Sequence, residues 1–239
     1  MHFLVLQHSE IDHPGIFRDF MGMDDIGWDP IDMHLEVTIP SLNGYDGLIV
    51  MGGPQQADEE HLYPWLAREK VVIRDAVESG MPLLGVCLGC QLLAEAVGGQ
   101  VGVLAEPEIG VLDVELTSEG AADPLFTGFP ARTRTMQWHL NAVAALPPGA
   151  YHLARSTGCE VQAFRVGRAA YGVQFHMELT ADLVRDTGIF PEYVAALEEL
   201  KGIGALQRFV EEAGQNAELF ETLARLMFDN FVRLAGHRT

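Results

Sequence analysis

Two short apolar runs, GLIVM at residues 47–51 and MPLLGV at 81–86, bracket a stretch of helical period, and this arrangement limits the fold more than any other feature. Runs that short and that continuously apolar suit strands buried on both faces, as in a parallel sheet covered by helices. Between them Trp65, Val72, Ile73, Ala76 and Val77 recur at helical spacing until Gly80 and Pro82 end the pattern. Strand, helix, strand is a βαβ unit, and it requires a parallel pair joined by a right-handed crossover. FLVLQ at 3–7 reads as another buried strand and HLEVTI at 34–39 as a fourth. From 100 to 175 the runs GVLDVEL, RTRTMQW, EVQAFRV and AAYGVQF are shorter, and several alternate, as in an antiparallel extension of the sheet. Leu206, Phe209, Ala213, Phe220, Leu223 and Met227 then keep a three-or-four spacing with a weak point at Gly214, which predicts an amphipathic helix or helix pair. The expected class is α/β: an open, mostly parallel central sheet with helices on both faces, an antiparallel extension and a C-terminal helical segment. Residues 1–190 are expected to form the α/β domain, and 191–239 a helical extension packed on it.

Charge and cysteine content remove several function classes. The formal charge is −19, with only Lys70 and Lys201 beside thirteen arginines, and no basic run could neutralise a phosphate backbone. Nucleic acid is therefore not expected as a partner. FLVLQ is too short and too weakly flanked for a signal peptide, and no run approaches the roughly 18 apolar residues that a membrane span needs. The expectation is a soluble cytoplasmic protein with no membrane partner. Cys87, Cys90 and Cys159 are an odd number and do not suggest a disulfide-stapled secreted domain.

Cys87 lies where a strand gives way to a helix. In PLLGVCLGCQLL, MPLLGV is the strand and LGCQLLAEAVGG a helix closed by Gly98 and Gly99. Gly85-Val86-Cys87-Leu88-Gly89 thus has the form of a nucleophile elbow, with glycines where the backbone must come close. A thiol there meets the positive end of a helix dipole, which favours the thiolate. The backbone N–H of Leu88 faces the same space and could hold a developing oxyanion. Two other readings stay open: a buried cysteine of plain packing, and a redox pair, since Cys87-Leu-Gly-Cys90 is a CxxC at a helix start. Zinc would need about four ligands, and no second CxxC or close Cys/His pair supplies them, so neither metal nor cofactor is expected.

A hydrolytic thiol needs a base and a group to orient it. In AAYGVQFHMEL, at 169–179, His176 and Glu178 are two apart in an extended segment and project to the same side. Glu178 can then hold one imidazole nitrogen and leave the other for a thiolate. GLIVMGGPQQ, at 47–56, runs a buried strand into Gly52-Gly53-Pro54 at the carboxyl edge of the sheet, where open α/β folds bind ligands. Glycine N–H groups there can approach a substrate oxygen, which makes Gly53 a candidate second oxyanion donor; an ordinary tight turn is the plain alternative.

MGGPQ, GVCLGCQLLAEAVGG and YGVQFHMEL together resemble the class I glutamine amidotransferases, the Cys-His-Glu glutaminase family, from residue 3 to about 180, and within it stand-alone proteins related to the glutaminase portion of GMP synthase. The resemblance implies Cys87 as nucleophile, His176 as general base and acid, Glu178 as its orienter, Gly53 and Leu88 as oxyanion donors, and Gly52 and Gln91 beside the bound glutamine. Two departures stand out. Met177 occupies the place between His and Glu where the family usually has proline, and Trp138-His139-Leu140-Asn141 falls where many relatives carry Ser-His-Gly-Asp near the substrate's α-amino and α-carboxylate groups. Trp138 and His139 are therefore candidate substrate-binding residues, with a structural hydrogen-bonding role as the alternative for His139.

The chain has no Walker-type loop and no room for a second large domain. The implied partner is glutamine, with ammonia passed to a separate synthetase subunit, or another γ-glutamyl amide if the protein is a free-standing hydrolase. A CxxC oxidoreductase and a silent binding module remain as alternatives from other classes.

Overall fold

The structure is a computed structural model that describes residues 1–35 and 37–236. The strands are β1 (His2–Gln7), β2 (Gly27–Asp32), β3 (Gly47–Val50), β4 (Leu83–Val86), β5 (Gln100–Leu116), β6 (Arg132–Ala145), β7 (Tyr151–Arg155), β8 (Ala163–Val166) and β9 (Ala170–Val173). They form one sheet in the order β2-β1-β3-β4-β9-β8-β7-β5-β6. From β2 to β9 every neighbour is parallel; beyond β9 every neighbour is antiparallel. The fold is therefore α/β with an antiparallel wing, as the apolar runs imply.

Period-two alternation divides the parallel strands between two layers of helices. Phe3, Val5, Ile49 and Leu84 face α1 (Phe17–Met23) and α8 (Ala217–Gly236), where Phe17, Phe20, Phe228 and Phe231 complete the core. Leu4, Leu6, Leu48, Val50 and Leu83 face α2 (Trp65–Glu78) and α3 (Leu88–Ala96) on the other side. A third cluster joins Ile109 of β5 and Met136 of β6 to α5 (Ala181–Asp186), α6 (Pro191–Lys201), α7 (Ala205–Gln215) and α8 through Val184, Leu197, Phe209 and Phe220. The weak point at Gly214 is real, since α7 ends at Gln215 and α8 begins at Ala217. The short α4 (Ser118–Ala122) connects the wing and is capped by the Thr117 hydroxyl.

One expected strand is corrected. HLEVTI at 34–39 is not a strand: residues 33–35 form a 3₁₀ turn, 37–39 are irregular, and Glu36 lies outside the described residues. The second strand is β2, GWDPID, whose Pro30 disguises it in sequence; the sheet tolerates that proline because β2 is an edge. Strand β7 went unpredicted. The last three residues of the expected C-terminal extension also lie outside the described residues. Among the described residues no helix is long and apolar enough to cross a membrane.

Candidate active site

The carboxyl ends of β1, β3, β4 and β9 lie side by side in the sheet and deliver His8, Gly52-Gly53, Cys87 and the 174–178 segment to one rim. A cavity of about 680 Å³ opens there, lined by Gly52, Gly53, Cys87, Leu88, His176 and Glu178 among others. Every residue singled out in the sequence as a site candidate lines it, including Gln91, Trp138 and His139.

Cys87 sits between β4 and α3 with φ at 51°, a conformation that costs a non-glycine residue energy and persists only where its surroundings impose it. Its N–H donates to the Val173 carbonyl (2.9 Å), and the Gly89 N–H donates to Met51 (3.1 Å). Gly89 has no alternative in this turn: a Cβ there would lie 2.1 Å from the Val50 carbonyl oxygen. Those contacts pin the elbow to both neighbouring strands and push the side chain to the rim. The Cys87 thiol, 7% exposed, reaches the Trp138 carbonyl at 3.8 Å.

His176 and Glu178 project to one side of an extended segment that continues β9, as their spacing predicts. The His176 N–H donates to the Met136 carbonyl (2.8 Å), anchoring the segment to β6. The Nδ1 nitrogen lies 2.6 Å from Glu178 Oε1, so Nε2 is the nitrogen left for Cys87. Burial works against a charged ring, but the Glu178 and Cys87 charges and the hydrogen bonds to both hold the His176 pKa well above the usual value. Met177, where the family usually has proline, turns into the core at 1% exposure and leaves the alignment of its neighbours intact.

The remaining candidates divide. Leu88 opens α3, where a first-turn N–H has no acceptor within the helix. The Gln91 amide nitrogen is held by the Asn141 carbonyl (2.9 Å) and Gln174 (3.2 Å). The Trp138 ring packs on Phe209 of α7, centroids 5.8 Å apart. His139 gives Nδ1 to the Asn141 carbonyl (3.0 Å), and its Nε2 meets Gln137 (3.1 Å) and Glu108 (3.3 Å). At 3% exposure both nitrogens are thus engaged inside a protein network, with none turned to a ligand.

Cys90 lies between α3 and the sheet, wholly buried, facing Gly172 and absent from the cavity lining. Burial pushes its thiol well above the usual range. A dithiol pair needs both sulfurs on one space, and here Cys87 lines the cavity while Cys90 is wholly buried and outside it, so the redox reading loses its geometry. All three cysteines are free thiols, and among the described residues no group of three or more His, Cys, Asp or Glu is arranged to hold a metal ion.

Sequence reasoning missed two parts of the site. Asp12 reaches the rim from the loop after β1, bonded to the Ser9 hydroxyl; burial holds its carboxyl above the usual range against the pull of Ser9, His8 and His176. Leu183, Ile189, Tyr193 and Ala196, with Asp186 and Thr187 among them, form a largely apolar wall contributed by α5, α6 and their connection. They carry no motif, and only the packing of the C-terminal helices brings them there.

A family model described as "Glutamine amidotransferase class-I" matches residues 25–196. The chain belongs to the class I glutamine amidotransferase family. It is 37% identical over 152 residues to the glutamine amidotransferase-like protein YfeJ of Salmonella typhimurium, a match covering 62% of this chain and 63% of that one, less than two thirds of its length. It is 32% identical to the glutamine-hydrolysing GMP synthase subunit of Halobacterium salinarum over 80% of this chain and 94% of the relative. Among solved structures, a glutamine amidotransferase from Thermotoga maritima superposes with a TM-score of 0.87 at 29% identity, covering 97% of this chain and 98% of that one. The GMP synthase relative is named as glutamine-hydrolysing, and the α/β architecture described above is that of the Thermotoga glutamine amidotransferase.

Proposed function

We propose that the protein is a glutaminase-type amidohydrolase acting through a Cys87 thioester. The observation that carries this reading is a strained elbow thiol sharing one cavity with a buried imidazole whose far nitrogen is 2.6 Å from a carboxylate. In the proposed sequence the Cys87 sulfur attacks the side-chain amide carbon of glutamine. The oxyanion is held by the N–H groups of Gly53 and Leu88, and His176 gives its proton to the departing nitrogen, releasing ammonia and leaving a γ-glutamyl thioester. His176 then takes a proton from water, whose oxygen attacks the thioester carbon and expels the thiolate as glutamate forms. Glu178 fixes the tautomer and stabilises the imidazolium. On this reading residues 1–190 form the catalytic unit and 191–239 an extension that walls the cavity. The match to the glutamine-hydrolysing part of a GMP synthase supports ammonia transfer to a separate synthetase subunit.

A second reading, hydrolysis of a larger γ-glutamyl amide, is favoured by the apolar wall and by the absence of the Ser-His-Gly-Asp segment at 138–141. Pockets of this size accommodate ligands larger than an amino acid.

The test is release of ammonia or amine from glutamine and a panel of γ-glutamyl amides by wild type, Cys87→Ala and Cys90→Ala. Wild type and Cys90→Ala should turn over the same substrate, and Cys87→Ala none. Iodoacetamide should modify Cys87 well before Cys159, whose burial, with the nearby Glu108 charge, pushes its thiol up to about 12. Loss of activity in both cysteine variants with both still folded would return the paired-thiol alternative.

A further inference from the structure

A second buried histidine–carboxylate pair stands behind the oxyanion segment. His8 follows β1, and its ring lies flat against Trp65 of α2, centroids 5.5 Å apart and planes 16° from parallel. Its Nδ1 is 2.7 Å from the Gly52 carbonyl oxygen, and its Nε2 is 3.0 and 3.2 Å from the two oxygens of Glu69. Both side chains are wholly buried. A carbonyl oxygen can only accept, so Nδ1 carries a proton, and the carboxylate on the opposite nitrogen holds the ring in that state. Burial opposes a charge on the ring, but Glu69 outweighs it and the His8 pKa is raised.

The consequence passes through one peptide. The Gly52–Gly53 bond is trans, so the Gly53 N–H points away from the carbonyl that His8 holds. The Gly52 end of this peptide sits against the reacting groups: a Cβ there would lie 3.4 Å from His176 Cε1 and 3.6 Å from Cys87 Cβ. At Gly53 a Cβ would come 2.6 Å from His8 Cβ, so the backbone rests directly on that residue. Among the described residues nothing accepts from the Gly53 N–H. A proton placed on the carbonyl end of a peptide polarises it and strengthens the N–H at the other end as a donor. We infer that His8 and Glu69 are positioning residues that fix and polarise the Gly52–Gly53 peptide, so that the Gly53 N–H meets the oxyanion of the tetrahedral intermediate. A buried ion pair is by itself a weak source of stability, which fits a role at the rim better than one as glue between α2 and the sheet.

This inference rests on the amidohydrolase reading, and its test separates the two. Oxyanion stabilisation acts in acyl transfer, whereas displacement of iodide from iodoacetamide by the Cys87 sulfur develops no oxyanion. His8→Leu should therefore lower kcat for the best amide substrate by about 30-fold or more, up to the roughly 10²–10³-fold seen when an oxyanion donor is removed outright. KM and the Cys87 alkylation rate should stay within about 3-fold of wild type, since neither draws on that donor. His8→Asn, which places a neutral N–H where Nδ1 stands, should recover at least about 10-fold of that kcat. Should His8→Leu fail to fold, Glu69→Gln carries the test: it keeps the shape but removes the charge that holds the ring, and kcat should fall about 10-fold with alkylation unchanged. Hydrolysis and alkylation falling in step, or kcat at the wild-type level, overturns the inference. Wild-type protein that alkylates at Cys87 yet cleaves no γ-glutamyl amide overturns the amidohydrolase reading, and this one with it.

Discussion

At the scale of single residues, His176 is buried at 8% exposure and still holds a raised pKa, because Glu178 and Cys87 outweigh the cost of burial. A group whose pKa is higher folded than unfolded adds stability that is complete below the unfolded value, about 6.5, and fades as pH rises through the folded value. The stability difference between wild type and His176→Ala in urea should thus be largest near pH 6 and shrink towards alkaline pH; a difference that grows with pH would mean the ring is neutral. Glu178→Gln keeps the 2.6 Å contact possible but removes the charge, and turnover should drop about 10²-fold or more while the fold survives. Wild-type turnover in that variant would sink the triad. These residues were legible because their relation is local: His176 and Glu178 are two apart on a strand extension, and Cys87 stands between glycines at a strand end. His8 and Glu69 are 61 positions apart, and no local spacing connects them; the one sequence sign was a histidine at the end of a buried strand, on the same rim as Gly52.

At the scale of elements, what could be read was whatever the core dictates on both sides. β3 and β4 are buried at every position, so their apolar runs are unbroken, and α2 must cover them with one face. β2 is an edge, half-exposed along its length, so selection by burial is weak there, and Pro30 is harmless. The run at 34–39 alternates as a half-buried strand would, yet Leu35 is 63% exposed and Val37 is exposed beside it, while Ile39 packs against the core without joining the sheet. β7 buries only Leu153 and Ala154 and offers too short a pattern to see. α8 was plain from its period, and its role can be tested separately from chemistry. Phe228 is wholly buried, with the rings of Phe17 and Phe20 at 5.6 and 5.8 Å, and does not line the cavity. Phe228→Ala should destabilise by about 3–5 kcal/mol, read from the shift of the urea midpoint, while kcat/KM per folded molecule stays at the wild-type level. A loss of turnover without loss of stability would assign α8 a part in the site.

At the scale of the whole molecule, the cavity is a joint product of the sheet edge and the C-terminal helices. The rim supplies the polar chemistry, while α5, the 3₁₀ turn after it and α6 close the far side with Leu183, Ile189 and Tyr193, so the boundary expected at residue 190 runs through the cavity wall. Asp186 and Thr187 interrupt that wall with polar groups, but its apolar side chains offer glutamine's polar ends little, whereas an amide of an apolar amine has a group to set against them. Removing apolar contact from a substrate pocket costs about 1–3 kcal/mol per group, or roughly 10–200-fold in specificity. Leu183→Ala combined with Ile189→Ala should therefore leave kcat/KM for glutamine within about 3-fold if its polar ends are held by the rim rather than by those two side chains. For γ-glutamyl-p-nitroanilide the same double variant should lose about 10-fold or more, mainly through KM, if the larger amide is what the wall receives. Equal kcat/KM for the anilide in wild type and variant would remove the wall from substrate recognition. Glutamine, with its ammonia passed on to a synthetase, would then be the substrate on which the site acts.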